Sequence, residues 1–170
     1  MQLKTYFMML ALGVCGAVMQ SCDDDDDNLN VPEELRSAFS QKYPGSVPEW
    51  KTRSNYYIAD FRDQSYEAEA WFTSDAIWLM TETDIPYAAL PEAVKNALQN
   101  SEYATWNRDD ADMLERKGLE PVYVLEVEQG SREMDLYYNA EGILIKAMED
   151  YEDDSESYLP IELPEGVKNF

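Results

Sequence analysis

Apolar and polar residues follow two different periods along this chain, and each change of period marks a predicted element. Val31, Leu35, Phe39 and Tyr43 recur at four-residue spacing behind Pro32 and stop at Pro44-Gly45, which predicts a helix with one apolar stripe. Leu90, Val94 and Leu98 give the same pattern behind Pro91. After each helix a short segment around Trp50 or Trp106 leads into alternation of period two, the signature of half-buried strands. Tyr57, Ala59 and Phe61 fall on one face and Ile58, Asp60 and Arg62 on the other. Asp63-Gln64, matched by Gln129-Gly130, suits a two-residue hairpin turn. The next strand adds Ala68, Ala70 and Phe72 to the first face and Glu67, Glu69 and Trp71 to the second. Turns at Thr73 to Ala76 and Asn139 to Gly142 lead to further strands.

YIADFRDQSYEAEAWFTSDAIWLM from Tyr57 matches YVLEVEQGSREMDLYYNAEGILIK from Tyr123 without a gap, and VPEELRSAF at Val31 is similar to LPEAVKNAL at Leu90. The pattern predicts an α+β fold: a tandem repeat of one helix packed on a four-stranded antiparallel meander, over residues 31–84 and 90–150. A unit of roughly 55 to 60 residues buries too little surface to stand alone, so the two units are expected to pack side by side. Arg108 to Pro121 reads as a long loop. Residues 151–170 read as an acidic linker and a short C-terminal segment, in which LPEGVKN at Leu163 resembles the start of a third helix. The expected core is Leu35, Phe39, Tyr57, Phe61 and Phe72, with Val94, Leu98, Leu125, Val127, Leu136 and Ile143.

The turns expected at these positions place Asp60 opposite Glu67, Trp71 opposite Trp78, Glu69 opposite Met80, Tyr137 opposite Leu144 and Asp135 opposite Lys146. Trp71, Trp78, Met80, Glu69 and Tyr137 would then share the sheet face away from the helices. Large aromatics framed by charge suit a partner-binding surface. The alternative is that the acidic C-terminal segment, or the loop at Arg108 to Pro121, covers these rings as a second small core.

The N-terminal residues have a different logic. Lys4, the apolar run from Tyr6 to Met19 and the small Ser21 before Cys22 form the three-part layout of a secretory signal over residues 1–21. Ser21-Cys22 resembles the lipobox of bacterial lipoproteins, although Met19 and Gln20 depart from its usual residues. The resemblance implies lipidation at Cys22, with the membrane reached through the lipid. Cys15 would leave with the signal, so no thiol would remain for disulfide or metal chemistry. Asp23 to Asp27 make residues 22–30 an acidic tether, either a plain spacer or a surface-sorting signal.

The chain carries 13 basic and 35 acidic residues, a net charge of -22, and no histidine. Such a surface repels phosphates, which excludes nucleic acid as a partner. Without histidine the Ser-His-Asp and Cys-His arrangements and the commonest zinc ligand are unavailable. No glycine-rich phosphate loop occurs. Asp150, Glu152 and Asp154 have the alternate spacing of calcium ligands, but Ser155 stands where an EF-hand loop needs glycine. What remains chemically open is a carboxylate pair of the glycosidase kind or an oxygen-ligand cation site, but no pair stands out among so many acids; the expectation is no enzyme, with no catalytic residue, cofactor or metal site assigned.

The proline-initiated helices, the YYIADFRDQSYEAEAWF hairpin and the WLMTETDIPY junction resemble the PepSY-like family of bacterial lipoproteins, also described as β-lactamase-inhibitor-like. The resemblance spans Val31 to about Asp150. It implies an envelope lipoprotein of the outer membrane, periplasmic or surface-exposed. It further implies a non-catalytic module for a protein or peptide partner outside the cytoplasm, with inhibition of a peptidase or hydrolase as one form of that role. A cation-binding or structural envelope protein is the alternative. The chain lacks the disulfides expected of the secreted inhibitor, which argues against β-lactamase itself as the target.

Overall fold

The structure is a computed structural model that describes residues 29–150. Two α-helices, α1 (Glu33–Lys42) and α2 (Glu92–Gln99), alternate with eight strands. Strands β1 (Glu49–Arg53), β2 (Tyr56–Asp63), β3 (Tyr66–Thr73) and β4 (Trp78–Asp84) follow α1. Strands β5 (Asn107–Arg116), β6 (Val122–Gln129), β7 (Arg132–Asn139) and β8 (Leu144–Asp150) follow α2.

All eight strands form one antiparallel sheet in the order β1 to β8. This corrects the expected tandem repeat of helix plus four-stranded meander. The decisive contact is β4 on β5, with Met80 opposite Arg116 and Asp84 opposite Asp112. Two separate meanders would leave β4 and β5 as edges with rows of unpaired N–H and C=O groups; joining them removes both edges. The expected loop at Arg108 to Pro121 is corrected by the same contact, since most of it is the ten-residue strand β5. Flanking strands on both sides override its weak strand propensity.

Each helix starts as its sequence dictates. Pro32 and Pro91 sit just before the first turn with extended ψ, and the Pro32 carbonyl accepts the N–H groups of Leu35 and Arg36. Glu33 and Glu34 lie in the first turn of α1 and Lys42 in its last, the arrangement the helix dipole favours. The stripes face the sheet: Val31, Leu35 and Phe39 pack on Ala59, Phe61, Ala68, Ala70 and Phe72. Leu90, Val94 and Leu98 pack on Leu125, Val127, Leu136 and Tyr138. Helix α2 rests directly on the turn before β8. A Cβ on Gly142 would lie 2.4 Å from the Ala93 carbonyl oxygen, and its φ of +78° already favours glycine.

Of the expected core, Tyr57 is only half-buried against the first cluster, and Ile143 is an exception at 53 % exposed, because it lies in the turn rather than in β8. The hairpin registers also differ from expectation. Asp63 pairs with Tyr66 and Gln129 with Arg132, so the two-residue turns are Gln64-Ser65 and Gly130-Ser131. Gln64 and Gly130, the first residue of each turn, take up the positive φ. The pairing thus shifts by two residues, to Asp60 opposite Glu69, and an even shift keeps every side chain on its expected face.

Candidate functional site: the sheet face away from the helices

Bulges decide which residues reach the open face. Between Trp71 and Phe72 the register with β4 shifts, so Trp71 pairs with Met80 and Phe72 with Trp78. The expected pairings of Trp71 with Trp78 and of Glu69 with Met80 are both corrected by this extra residue in β4. Trp78 consequently lies on the helix side. Its indole N–H donates to the Thr81 hydroxyl at 2.9 Å, and the Lys42 ammonium sits 3.5 Å above its ring. The same irregularity between Tyr137 and Tyr138 places Tyr137 opposite Lys146 and Asp135 opposite Met148, again correcting the expected partners.

Trp71, Met80 and Tyr137 do share the open face, but none is accessible. They form a third apolar cluster with Ile58, Leu114, Val122 and Val124, and all three are 0 % exposed. The expectation of exposed side chains is thereby corrected for these three. Glu69 lies beside them, its carboxylate 2.5 Å from the Lys51 ammonium, which also reaches Asp60 at 3.5 Å.

Accessible instead is an acidic groove next to the cluster, enclosing about 370 Å³ between Arg53, Asp60, Glu67, Ala68, Glu69, Glu82, Asp84, Asp110 and Asp112. The registers explain its charge. Asp60, Glu69 and Glu82 are consecutive partners across β2, β3 and β4, and Asp84 is the partner of Asp112 across β4 and β5. Like charges directly opposite one another destabilise a sheet. Burial pushes the Glu82 carboxyl up to about 7, with Glu69 adding to the rise and Arg53 opposing it. Burial pushes the Asp112 carboxyl up to about 8, reinforced by Glu82, Asp110 and Asp84. Lys51 offsets part of this charge at Asp60 and Glu69, and the remaining carboxylates make the groove a candidate site, since strongly shifted carboxyls gather at functional sites.

Sequence reasoning identified Glu69 here and missed Glu82, Asp84, Asp110 and Asp112. Their signal was the alternation in TETD and DDADM, two residues apart and therefore on one face. Reading β5 as a loop hid it. Among the described residues no group of three or more His, Cys, Asp or Glu is placed to hold a metal ion. Cys22 lies outside the described residues, as do Glu152 and Asp154 of the calcium-like spacing.

The fold is thus a single antiparallel sheet with helices on one face and an acidic groove on the other. The profile described as "Putative beta-lactamase-inhibitor-like, PepSY-like" matches residues 55–146, and the chain belongs to this family. A BLIP-like protein from Bacteroides fragilis NCTC 9343 is 33% identical, with a TM-score of 0.73 over 80% of this chain and 98% of that one. A DUF2874 family protein from Bacteroides ovatus ATCC 8483 is 30% identical, with a TM-score of 0.67 over 69% of this chain and 86% of that one. A protein from Bacteroides eggerthii DSM 20697, described as periplasmic, is 24% identical and has the same fold, with a TM-score of 0.67 over 70% and 88%. No curated protein matches the chain.

Proposed function

We propose that this protein is a non-catalytic module that binds a protein or peptide outside the cytoplasm, and that its acidic groove takes a cationic, Lys- or Arg-bearing segment of the partner. The observation that carries the reading is the excess of negative charge in the groove: Asp60, Glu67, Glu69, Glu82, Asp84, Asp110 and Asp112 line it with Arg53, and the ion pairs of Lys51 with Asp60 and Glu69 and of Arg62 with Glu67 offset only part of that charge. A cation entering this space relieves repulsion that folding leaves in place, so binding and fold stability are coupled. The BLIP-like and periplasmic descriptions of the structural relatives support a binding role in the envelope. Inhibition of a peptidase or hydrolase is the specific form this role takes if the cationic segment belongs to an enzyme.

The test is titration of the chain with a ten-residue oligolysine and, as control, an oligoglutamate of equal length. Only oligolysine should bind. Asp84 and Asp110 are exposed, so Asp84→Asn with Asp110→Asn should leave the fold intact and weaken binding about tenfold, which corresponds to about 1.4 kcal/mol. Equal binding of both peptides, or an unchanged affinity in the double variant, would remove the groove from the account.

The lipid anchor at Cys22 belongs to the same proposal and is supported by the signal layout and Ser21. Cys22→Ala is expected to move the protein from the membrane fraction to the soluble fraction; an unchanged distribution would refute the anchor.

A further inference from the structure

The acidic groove does not end at Asp84 and Asp110. Both carboxylates also line a second cavity of about 310 Å³, which continues from the groove where β4 leaves the sheet and β5 enters it. Ile85 still belongs to the ladder, its N–H donating to the Ala111 carbonyl at 2.9 Å, and Pro86 then leads into the short 3-10 helix Tyr87–Ala89. Opposite, the register of β5 against β6 shifts between Arg108 and Ala111, and Asp109 and Asp110 of this bulge line the cavity. Bulges re-aim side chains, and here the extra residue adds acid where the groove already has an excess of it.

What the second cavity has and the groove lacks is an aromatic ring. Tyr87 lines it, and the guanidinium of Arg108 stands 4.3 Å from the ring centroid, so the cavity already holds one planar cation on an aromatic face. The Tyr87 hydroxyl is buried without a hydrogen-bond partner, a state that folding normally avoids. The carboxylates beside it are also uncompensated: the ion pairs of the described residues involve Asp60, Glu67, Glu69, Glu92 and Glu149, but not Asp84, Asp109 or Asp110. A guanidinium from a partner answers all three features. Its flat surface stacks where an ammonium does not, its fork engages two carboxylates at once, and its N–H groups suit a hydroxyl oxygen.

Resting on the reading of the groove as a cation site, we infer that the partner segment carries two cations on alternate residues, a Lys ammonium between Glu82 and Asp112 and an Arg guanidinium in the second cavity. The fold itself shows how the first one sits. The Lys51 ammonium lies 3.5 Å from Asp60 and 2.5 Å from Glu69, the two carboxylates that continue the row of Glu82 across β3 and β2. Spacing sets the rest of the pattern. Glu82 and Asp84 are two residues apart on β4 and face the same way, a separation of roughly 6.8 Å, and the second cavity begins at Asp84. A partner chain extended along β4 and β5 repeats its own side chains at the same interval. Cations on alternate residues therefore meet both sites, whereas adjacent cations point to opposite sides.

Capped short peptides of serine and glycine, each with one Lys and one Arg, test the pattern on the full chain: Lys-Ser-Arg in one and adjacent Lys-Arg in its isomer. NMR titration should give the alternate peptide a Kd at least about tenfold lower. Asp109 is exposed and lines the second cavity but not the groove, so Asp109→Asn should keep the melting temperature and bring the two isomers within about twofold of each other. Lys-Ser-Lys should bind more weakly than Lys-Ser-Arg; equal binding of these two would overturn the guanidinium assignment. Equal affinity of the two isomers, or a preference that survives Asp109→Asn, would overturn the inference while oligolysine binding still upholds the groove. Failure of oligolysine and of every short peptide would remove the groove reading as well.

Discussion

Trp71→Ala is expected to lower the melting temperature by on the order of 10 °C. Removal of a fully buried aromatic costs about 3–5 kcal/mol, and each kcal/mol corresponds to about 3–5 °C for a domain of this size. Trp71 packs with Ile58 and Met80 in the third cluster, its ring 6.1 Å from that of Tyr56, and the gap left by alanine cannot be filled from the paired strands around it. The effect separates two roles for the open face. A ring that served only as a contact for a partner would be lost with no change in stability; a change of less than about 2 °C would therefore place Trp71 in the binding surface rather than the core. Trp78→Ala should fall between these limits, since Trp78 is half-buried, contacts Lys42 and loses one hydrogen bond to Thr81.

Stability should rise as pH falls from 8 to 5, the opposite of the usual trend for a carboxylate-rich protein. Both groove carboxyls have folded pKa values raised above their ordinary ones: about 7 against 4.5 for Glu82, and about 8 against 3.8 for Asp112. Between those limits the folded chain binds protons that the unfolded chain has released. Their contribution is therefore fully present below about pH 4 and lost as pH rises through 7 and 8. The groups that drive the shifts surround the pair from several strands: Glu69 on β3, Asp84 on β4, Asp110 on β5 and Asp135 on β7, with Arg53 on β1 opposing the rise at Glu82. At about 1.4 kcal/mol per pKa unit, shared between two coupled groups, the gain from pH 8 to pH 5 is on the order of 3 kcal/mol. Glu82→Gln with Asp112→Asn should flatten the profile and raise the melting temperature at pH 8. General charge repulsion acts in the same direction on the whole chain, so a profile equally steep in the double variant would attribute the effect to net charge alone.

The residues that announced their structure are those with a strong local signal. Proline followed by apolar residues four apart gave both helices, and strict alternation gave the faces of β2, β3, β6 and β7. These faces survived the two-residue change of register because an even shift does not invert a strand. What stayed hidden depended on partners far away in sequence. The contact of β4 with β5 joins Asp84 to Asp112 across an intervening helix, and beyond the alternation of Asp110 and Asp112 nothing local in DDADMLER favours a strand. Bulges are equally silent: Trp78 and Trp71 are matched in type and spacing, yet one extra residue sends them to opposite sides of the sheet. The matched segments also equated Ile143 with Ile77, and both prove to be turn residues, each 53 % exposed. The groove was illegible for a further reason. Among 35 acidic residues, those of the site differ only in being brought together, and that follows from the pairing of the sheet as a whole.

The central claim is that the acidic groove recognises positive charge. Its most direct test is the proton balance of oligolysine binding, measured calorimetrically at pH 7 in two buffers of different ionisation enthalpy. A cation in the groove must lower the pKa values of Glu82 and Asp112, so the account predicts release of about one proton per complex, abolished in Glu82→Gln with Asp112→Asn. Binding without proton release, or release that persists in the double variant, would contradict it.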